Sequence, residues 1–318
     1  MSGKSNTVMT VLGPVPASDL GITLIHEHMV INWMREIRLA GLLNNIPLII
    51  KELEPFCKAG GRTIVEATTP DLGRNAEALK CISEKTGLHI IAGCCYYRHQ
   101  YLDAAFIDRN DADALADYTV RDLTEGIDGT DTKAGIIGEI GCDEWLTAQE
   151  ERVFRAAARA HKRTGATITT HAARWPIGSK QLDLLAEEGV EPNRVIIGRC
   201  DLVASNAWRS GEDFQAYHEQ LARRGAWVGF DNIRKSSEDE LAIRVEYILN
   251  LMEKGFLGRI LISHDIGHTS TLASYGGGGY AYILQEFVPR LQAAGVKDEE
   301  IRTILVDNPR RALTGDLS

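Results

Sequence analysis

The sequence predicts an α/β protein built as a (β/α)8 TIM barrel. Three observations carry that expectation. Eight short β-rich runs alternate with longer amphipathic stretches from one end of the chain to the other. The runs are apolar throughout, as in Val195-Ile196-Ile197 and Ile260-Leu261-Ile262, which suits strands covered on both faces. Glycines at Gly60-Gly61, Gly87, Gly165 and Gly225 stand where a helix would end just ahead of the next strand. An open doubly wound sheet is the competing arrangement on alternation alone.

Taken in order, the strands are expected at 22–30, 63–69, 89–97, 134–141, 167–173, 195–201, 227–232 and 259–265. The segments 150–164 and 241–254 show the clearest helical periodicity between them. The first strand opens with the apolar run 22–25 and closes on His26-Glu27-His28. Side chains alternate along a strand, so His26 and His28 share one face and Glu27 takes the other. The longest stretch without regular patterning, 266–280, follows the eighth strand and holds Gly276-Gly277-Gly278-Gly279. It lacks the Gly-rich turn running into a helix with a lysine that a phosphate cradle needs, and it is expected to wall or cover a pocket.

Composition narrows the function. Of 318 residues, 44% are hydrophobic and 25% charged, ordinary values for a globular enzyme-sized chain. The net charge of −9 argues against nucleic acid or an anionic membrane as partner. No apolar run approaches the length of a membrane span, and residues 1–10 lack the layout of a secretory signal. Six scattered cysteines without Cys-x-x-Cys spacing read as reduced thiols, so a cytoplasmic protein is expected. There is no linker or composition break, and residues 1–318 are read as one domain.

Barrel enzymes collect their chemistry at the C-terminal ends of strands. Those ends carry His26 and His28, Glu139, His171, Arg199 with Asp201, Asp231, and His264-Asp265. Each alone reads as a satisfied buried histidine or a paired carboxylate. Their coincidence on one rim points instead to a metal site of imidazoles and carboxylates, suited to Zn, Mn, Fe or Co. A carboxylate such as Glu139 can bridge two ions about 3.5–4 Å apart, which polarise a scissile bond and bring the pKa of a shared water down to roughly 7. Asp265 is placed both to ligate and to accept the proton of that water.

These residues sit in longer motifs: Gly21-Ile-Thr-Leu-Ile-His-Glu-His28, Glu66-Ala-Thr-Thr-Pro-Asp-Leu-Gly-Arg74, Gly138-Glu-Ile-Gly141, Thr169-Thr-His171, Ser263-His-Asp265, Tyr275-Gly-Gly-Gly-Gly-Tyr280 and Leu305-Val-Asp-Asn-Pro-Arg310. Over nearly its whole length the chain resembles the phosphotriesterase family of the amidohydrolase superfamily, closest to its lactonase-like and phosphotriesterase-homology branch. The resemblance implies a barrel, a homodimer and a binuclear centre, with zinc foremost among the candidate ions. It makes His26, His28 and Asp265 ligands of the inner metal, Glu139 the bridge where many relatives use a carboxylated lysine, and His171 a ligand of the outer metal. Asp231 matches an aspartate that passes a proton onward, with a salt bridge to Arg244 as its bland alternative. Tyr97 falls where relatives place an aromatic beside the metal-bound water; its neighbour Arg98 is another candidate for substrate charge, and alternation lets only one of the two face the pocket; Arg244 matches an arginine near the leaving-group pocket.

The departure is Arg199, where the resemblance calls for a histidine on the outer metal. A guanidinium stays protonated and cannot ligate. Three outcomes are open: one ion per chain; an outer ion that recruits another ligand such as Cys142; or Arg199 standing in for the second charge and gripping an anionic substrate. The last is preferred over simple pairing with a neighbouring carboxylate. The expected activity is metal-dependent hydrolysis of an ester-type bond in a small molecule, a lactone or carboxylic ester, with a phosphotriester or amide as alternatives. A metal-poor binding protein is the reading from a different class. No strand runs into Gly-x-Gly-x-x-Gly, which leaves a nicotinamide oxidoreductase with little support.

Overall fold

The structure, a computed structural model, describes residues 6–172, 176–202 and 214–317. Eight parallel strands form one sheet: β1 (Ile22–Glu27), β2 (Gly61–Glu66), β3 (His89–Cys94), β4 (Ile136–Gly141), β5 (Ile168–His171), β6 (Val195–Ile197), β7 (Trp227–Phe230) and β8 (Ile260–Ile262). Each pairs with its sequence neighbour. The two edges then meet. Asp265 N donates to His26 O at 3.2 Å, and His28 N donates to Ile266 O at 3.0 Å. His26 N donates to the Ser263 hydroxyl at 3.0 Å. The sheet is a (β/α)8 barrel, as the alternation predicts, and the open sheet is excluded.

The connecting helices form where capping chemistry permits. Thr147 and Glu150 make a reciprocal capping box at the start of Ala148–Thr164, and Ser237 caps Glu238–Glu253 by accepting from Glu240 N. Helix ends at Gly87 and Gly165 take left-handed backbone, φ 73° and 75°, which costs a side chain with a Cβ about 1–2 kcal/mol.

Inner and outer residues of the barrel separate into two cores. Leu24, Ile64, Ile90, Ile137, Val228 and Ile260 pack outward with helix residues such as Phe56, Leu79, Phe154 and Ile248. Ile25, Val65, Ile91, Ile136, Ile196, Trp227 and Leu261 form a second cluster with Val8, Leu20, Ala312 and Leu313 that plugs the N-terminal end. Val8 belongs to an antiparallel hairpin, Thr7–Thr10 with Gly13–Pro16, that the sequence patterning did not reveal.

Two corrections concern the strand ends. First, in β1, β2, β3, β6, β7 and β8 the ladder stops before the residues expected to close the strand. Cys95 (φ 75°), Arg199 (φ 63°) and Asp265 (φ 55°) turn the chain through left-handed backbone there, where the strands splay at the mouth. Ala173, expected to end the fifth strand, lies outside the described residues. Second, β1 is bulged: Leu24 pairs with Ile64 but Glu27 with Glu66, three steps against two. The extra residue lets Ile25 join the inner core while His26 also reaches the centre.

The stretch 266–280 is held rather than slack. Glu52 accepts from Ala273 N and Ser274 N at 2.7 and 2.8 Å, and the Tyr280 hydroxyl donates to His28 O at 2.8 Å. Among the described residues, no helix is long and apolar enough to cross a membrane.

Candidate metal centre

At the C-terminal mouth, His26 from β1 and His28 just past its end meet Asp265, three residues beyond β8. One potential ligand atom from each lies within 4.8 Å of the others, and all three residues are buried. His28 Nε2 stands 3.2 Å from Asp265 Oδ1, and His26 Nε2 stands 3.7 Å from the same oxygen. Glu139 completes the ring from β4, with Oε1 3.3 Å from His28 Nε2 and Oε2 3.4 Å from His26 Nε2. His171, from β5, places Nδ1 2.9 Å from Glu139 Oε2.

The far nitrogens of His26 and His28 are fixed from outside. Thr68 Oγ1 lies 2.9 Å from His28 Nδ1, and that hydroxyl is itself engaged by Glu66 at 2.6 Å. Asp231 Oδ2 lies 3.0 Å from His26 Nδ1. Outer partners of this kind set ring orientation and tautomer, leaving Nε2 to face a cation. Glu66 and Thr68 belong to the motif from Glu66 to Arg74, but neither takes a role from the sequence alone.

The electrostatics suit a cation. Burial works against a charged His26, but Glu139 and Asp231 outweigh it and push its pKa up to about 10. His171 goes the other way, down to about 4, through burial and the nearby Arg199 charge. Burial disfavours an ionised Glu139, yet His26 and His171 hold its carboxyl well below the usual range. Both ring nitrogens of His26 are buried and make no hydrogen bond, Nδ1 standing in ion-pair contact with Asp231 and Nε2 with Glu139 and Asp265. A buried, unsatisfied imidazole nitrogen facing carboxylates is the environment a divalent metal relieves, so the residues present fit one.

The remaining residues expected at the mouth divide. Tyr97 and Arg199 line a small cavity with His28, Glu139, Asp265 and, on the loop side, Ile31, Trp33 and Leu72. The Tyr97 hydroxyl is 3.0 Å from His171 Nδ1, and burial holds it protonated. The Arg199 guanidinium pairs with Asp265 Oδ2, and its backbone N–H donates to Asp231 Oδ1 at 2.8 Å. Gly198 allows that approach, since a Cβ there would sit 2.7 Å from Asp231 Oδ2. Asn232, unremarked in the sequence, donates to Asp265 Oδ2 at 3.0 Å.

Arg98 and Arg244 do not line the cavity. Arg98 is buried against Asp143, at 2.7 Å, and Glu36. Its guanidinium lies 5.3 Å from the Tyr97 ring centroid, so the two side chains stay together while only Tyr97 reaches the cavity. Arg244 binds Asp201 at 2.9 Å, not Asp231, and Asp201 in turn accepts from Asn232 N. Asp231 faces the barrel axis and His26, out of reach of a helix-borne arginine. Cys142 accepts from Gln181 Nε2 at 3.2 Å, and burial pushes its thiol up to about 12, so it is no ready replacement ligand.

Glu27 and His264, the other halves of their motifs, act structurally. Glu27 accepts from the Ser263 hydroxyl, His264 Nδ1, His264 N and Ile266 N at 2.7–3.0 Å. His264 Nε2 accepts from Ile283 N at 3.0 Å.

The model of the phosphotriesterase family matches residues 6–313 of the chain. The phosphotriesterase homology protein of Escherichia coli strain K12 is 35% identical, with 91% of this chain and 96% of that one covered. The N-acetyltaurine hydrolase of Dictyostelium discoideum is 34% identical, with 99% of each covered. Among solved structures, the lactonase Lmo2620 from Listeria monocytogenes superimposes with a TM-score of 0.87 at 28% identity, covering 98% and 99%.

Proposed function

The chain belongs to the phosphotriesterase family of metal-dependent hydrolases, and from that premise we propose that it hydrolyses an ester-type acyl bond, in a lactone or carboxylic ester, within a small substrate that carries negative charge. The observation that carries this reading is the convergence of His26, His28 and Asp265 within 4.8 Å at the mouth of the barrel. These three would hold the inner ion, with Glu139 beside them and His171 beyond. When bound, the divalent ion supplies Lewis acidity to the acyl carbonyl and to the attacking water.

The protein's own groups do the rest. Thr68 and Asp231 keep the two imidazoles turned inward. Asp265 presents Oδ1 to the histidines, so Oδ2 is the oxygen that takes the proton of the attacking water. Arg199 pairs with that oxygen in the free protein; the acyl oxygen of a bound substrate, on which negative charge develops, draws the guanidinium off and restores the base. Tyr97, kept protonated, orients His171. Arg98 and Arg244 act as positioning residues through Asp143 and Asp201.

A second reading, an N-acyl amine in place of the ester, is favoured by the N-acetyltaurine hydrolase to which the chain is similar. The same groups serve either bond. Zinc is the first ion to try, with Mn, Fe and Co accommodated by the same donors.

Metal analysis beside a screen of lactones, carboxylic esters, N-acyl amines and phosphotriesters tests the proposal. With arginine at 199, about one ion per chain is expected, rising towards two in Arg199→His. Asp265→Asn should lower kcat/KM by about a hundredfold or more. Protein that retains no divalent ion and turns over none of the four classes would end this reading.

A further inference from the structure

Among the described residues at the rim of the barrel are Arg98, Arg199, Arg234 and Arg244, and all but Arg234 are matched by carboxylates. Arg98 has Asp143 and Glu36, Arg244 has Asp201, and Arg199 has Asp265. Arg234, four residues past the end of β7, is different. Among the described residues no carboxylate lies within ion-pair distance of it. Its Nη1 donates instead to the backbone carbonyl of Asp265 at 3.2 Å and lies 3.4 Å from His268 Nε2. A guanidinium drawn half out of water without an opposite charge is costly to hold, and the cost is met when an anion binds.

The surroundings are arranged to receive one. A guanidinium only donates, so the His268 Nε2 facing it carries the lone pair, and the ring proton sits on Nδ1, 2.8 Å from Ser270 Oγ. His268 is thereby kept neutral beside Arg234 and orients it. The His268 ring stacks on Trp33 with centroids 6.2 Å apart, and Trp33 lines the small cavity over His28 and Asp265. Arg234 thus touches the candidate centre through the Asp265 carbonyl, on the β7–β8 side and behind the cavity lining, while Arg199 lines the cavity itself.

We infer that Arg234, oriented by His268, is the specificity-determining partner for an anionic group on the substrate, a carboxylate, sulfonate or phosphate set a few bonds from the scissile acyl carbon. The subsite adjoins, across Trp33, the cavity that the proposed hydrolysis uses, and it rests on that reading. A planar fork takes two oxygens of such a group at once, and Trp33 and His268 cover the short apolar spacer between anion and acyl carbon. Neutral esters and simple lactones would leave the guanidinium unmatched and be the poorer substrates.

The test uses the metal-loaded protein in two measurements. The first compares kcat/KM for N-acetyltaurine and 3-acetamidopropanoate with that for N-propylacetamide, and for a carboxylated against an uncharged acetate ester. In Arg234→Ala the anionic-to-neutral ratio should fall about tenfold or more, chiefly through KM, with partial recovery in Arg234→Lys. The second is calorimetric binding of methanesulfonate, with no turnover involved. Affinity should drop about tenfold in Arg234→Ala and, to a smaller extent, in His268→Ala. Wild-type protein that hydrolyses neither anionic nor neutral acyl compounds removes the hydrolase reading and the subsite with it. Wild-type turnover with a ratio and a methanesulfonate affinity that Arg234→Ala leaves unaltered removes the subsite alone. If Arg234→Ala does not fold, the same criteria apply to Arg234→Lys and Arg234→Gln.

Discussion

At the scale of single residues, the chemistry depends on what stands behind the histidines as much as on the histidines. Two imidazoles on one strand are common. What makes this pair suited to an ion is that Thr68 and Asp231 occupy their Nδ1 atoms and leave both Nε2 atoms pointing at Glu139 and Asp265. Thr68→Val removes one of these supports while preserving shape. It is expected to weaken metal affinity by about 10- to 100-fold, measured by competition with a chromogenic chelator, and an unchanged affinity would show that His28 needs no outer support. His26, His28, Glu139, His171 and Asp265 could be picked out by reading strand ends. Of the partners on their far sides, Asp231 could be read the same way but Thr68 could not, because a threonine two residues past a strand carries no pattern of its own.

At the scale of elements, the joint between the first and last strands decides whether a barrel exists at all. Glu27 is the clasp. It is fully buried on β1, and although burial opposes its ionisation, His264 and two backbone N–H groups hold its pKa below the ordinary range. Through Ser263 and Ile266 it spans the whole end of β8. Removing it leaves several buried donors unmatched, so Glu27→Ala should lose about 3–5 kcal/mol of stability, read from urea or guanidinium midpoints. A loss under about 1 kcal/mol would mean that water or a neighbour fills the role. Alternation correctly set Glu27 on the other side from its two neighbours. That the opposite side is a structural joint and not solvent follows only from the closure of the sheet.

At the scale of the whole molecule, stability against pH reports buried carboxylates away from the centre. Asp71 follows β2 and accepts from Tyr97 N at 2.9 Å. Burial raises its pKa from 3.8 to about 6, outweighing its hydrogen bonds and the Arg74 charge. Between about pH 4 and 6 the folded protein therefore binds more protons than the unfolded chain, and stability falls as pH rises through that window. Asp71→Asn should remove this fall. Its advantage over wild type should grow by on the order of 2 kcal/mol from pH 4 to pH 7, followed by chemical denaturation at both values. An advantage that does not change with pH would place the carboxylate's titration at its ordinary value in the folded state.

The order of strands and helices, the closed sheet they build and the family are legible in the sequence, because apolar runs, glycine stops and the His-x-His, Glu and His-Asp motifs are local in the chain. So is the set of groups at the strand ends, since alternation and the ends of apolar runs locate them without a partner. Which charges meet which is not local. Arg244 finds Asp201 instead of Asp231, Arg98 is taken by Asp143 and Glu36, and Arg234 is left without an acid among the described residues, all through a barrel curvature that brings loops far apart in sequence to one rim. The bulge that aims His26 inward and the left-handed turns at Arg199 and Asp265 likewise come from packing eight strand ends around one axis, a constraint no single stretch of the chain carries.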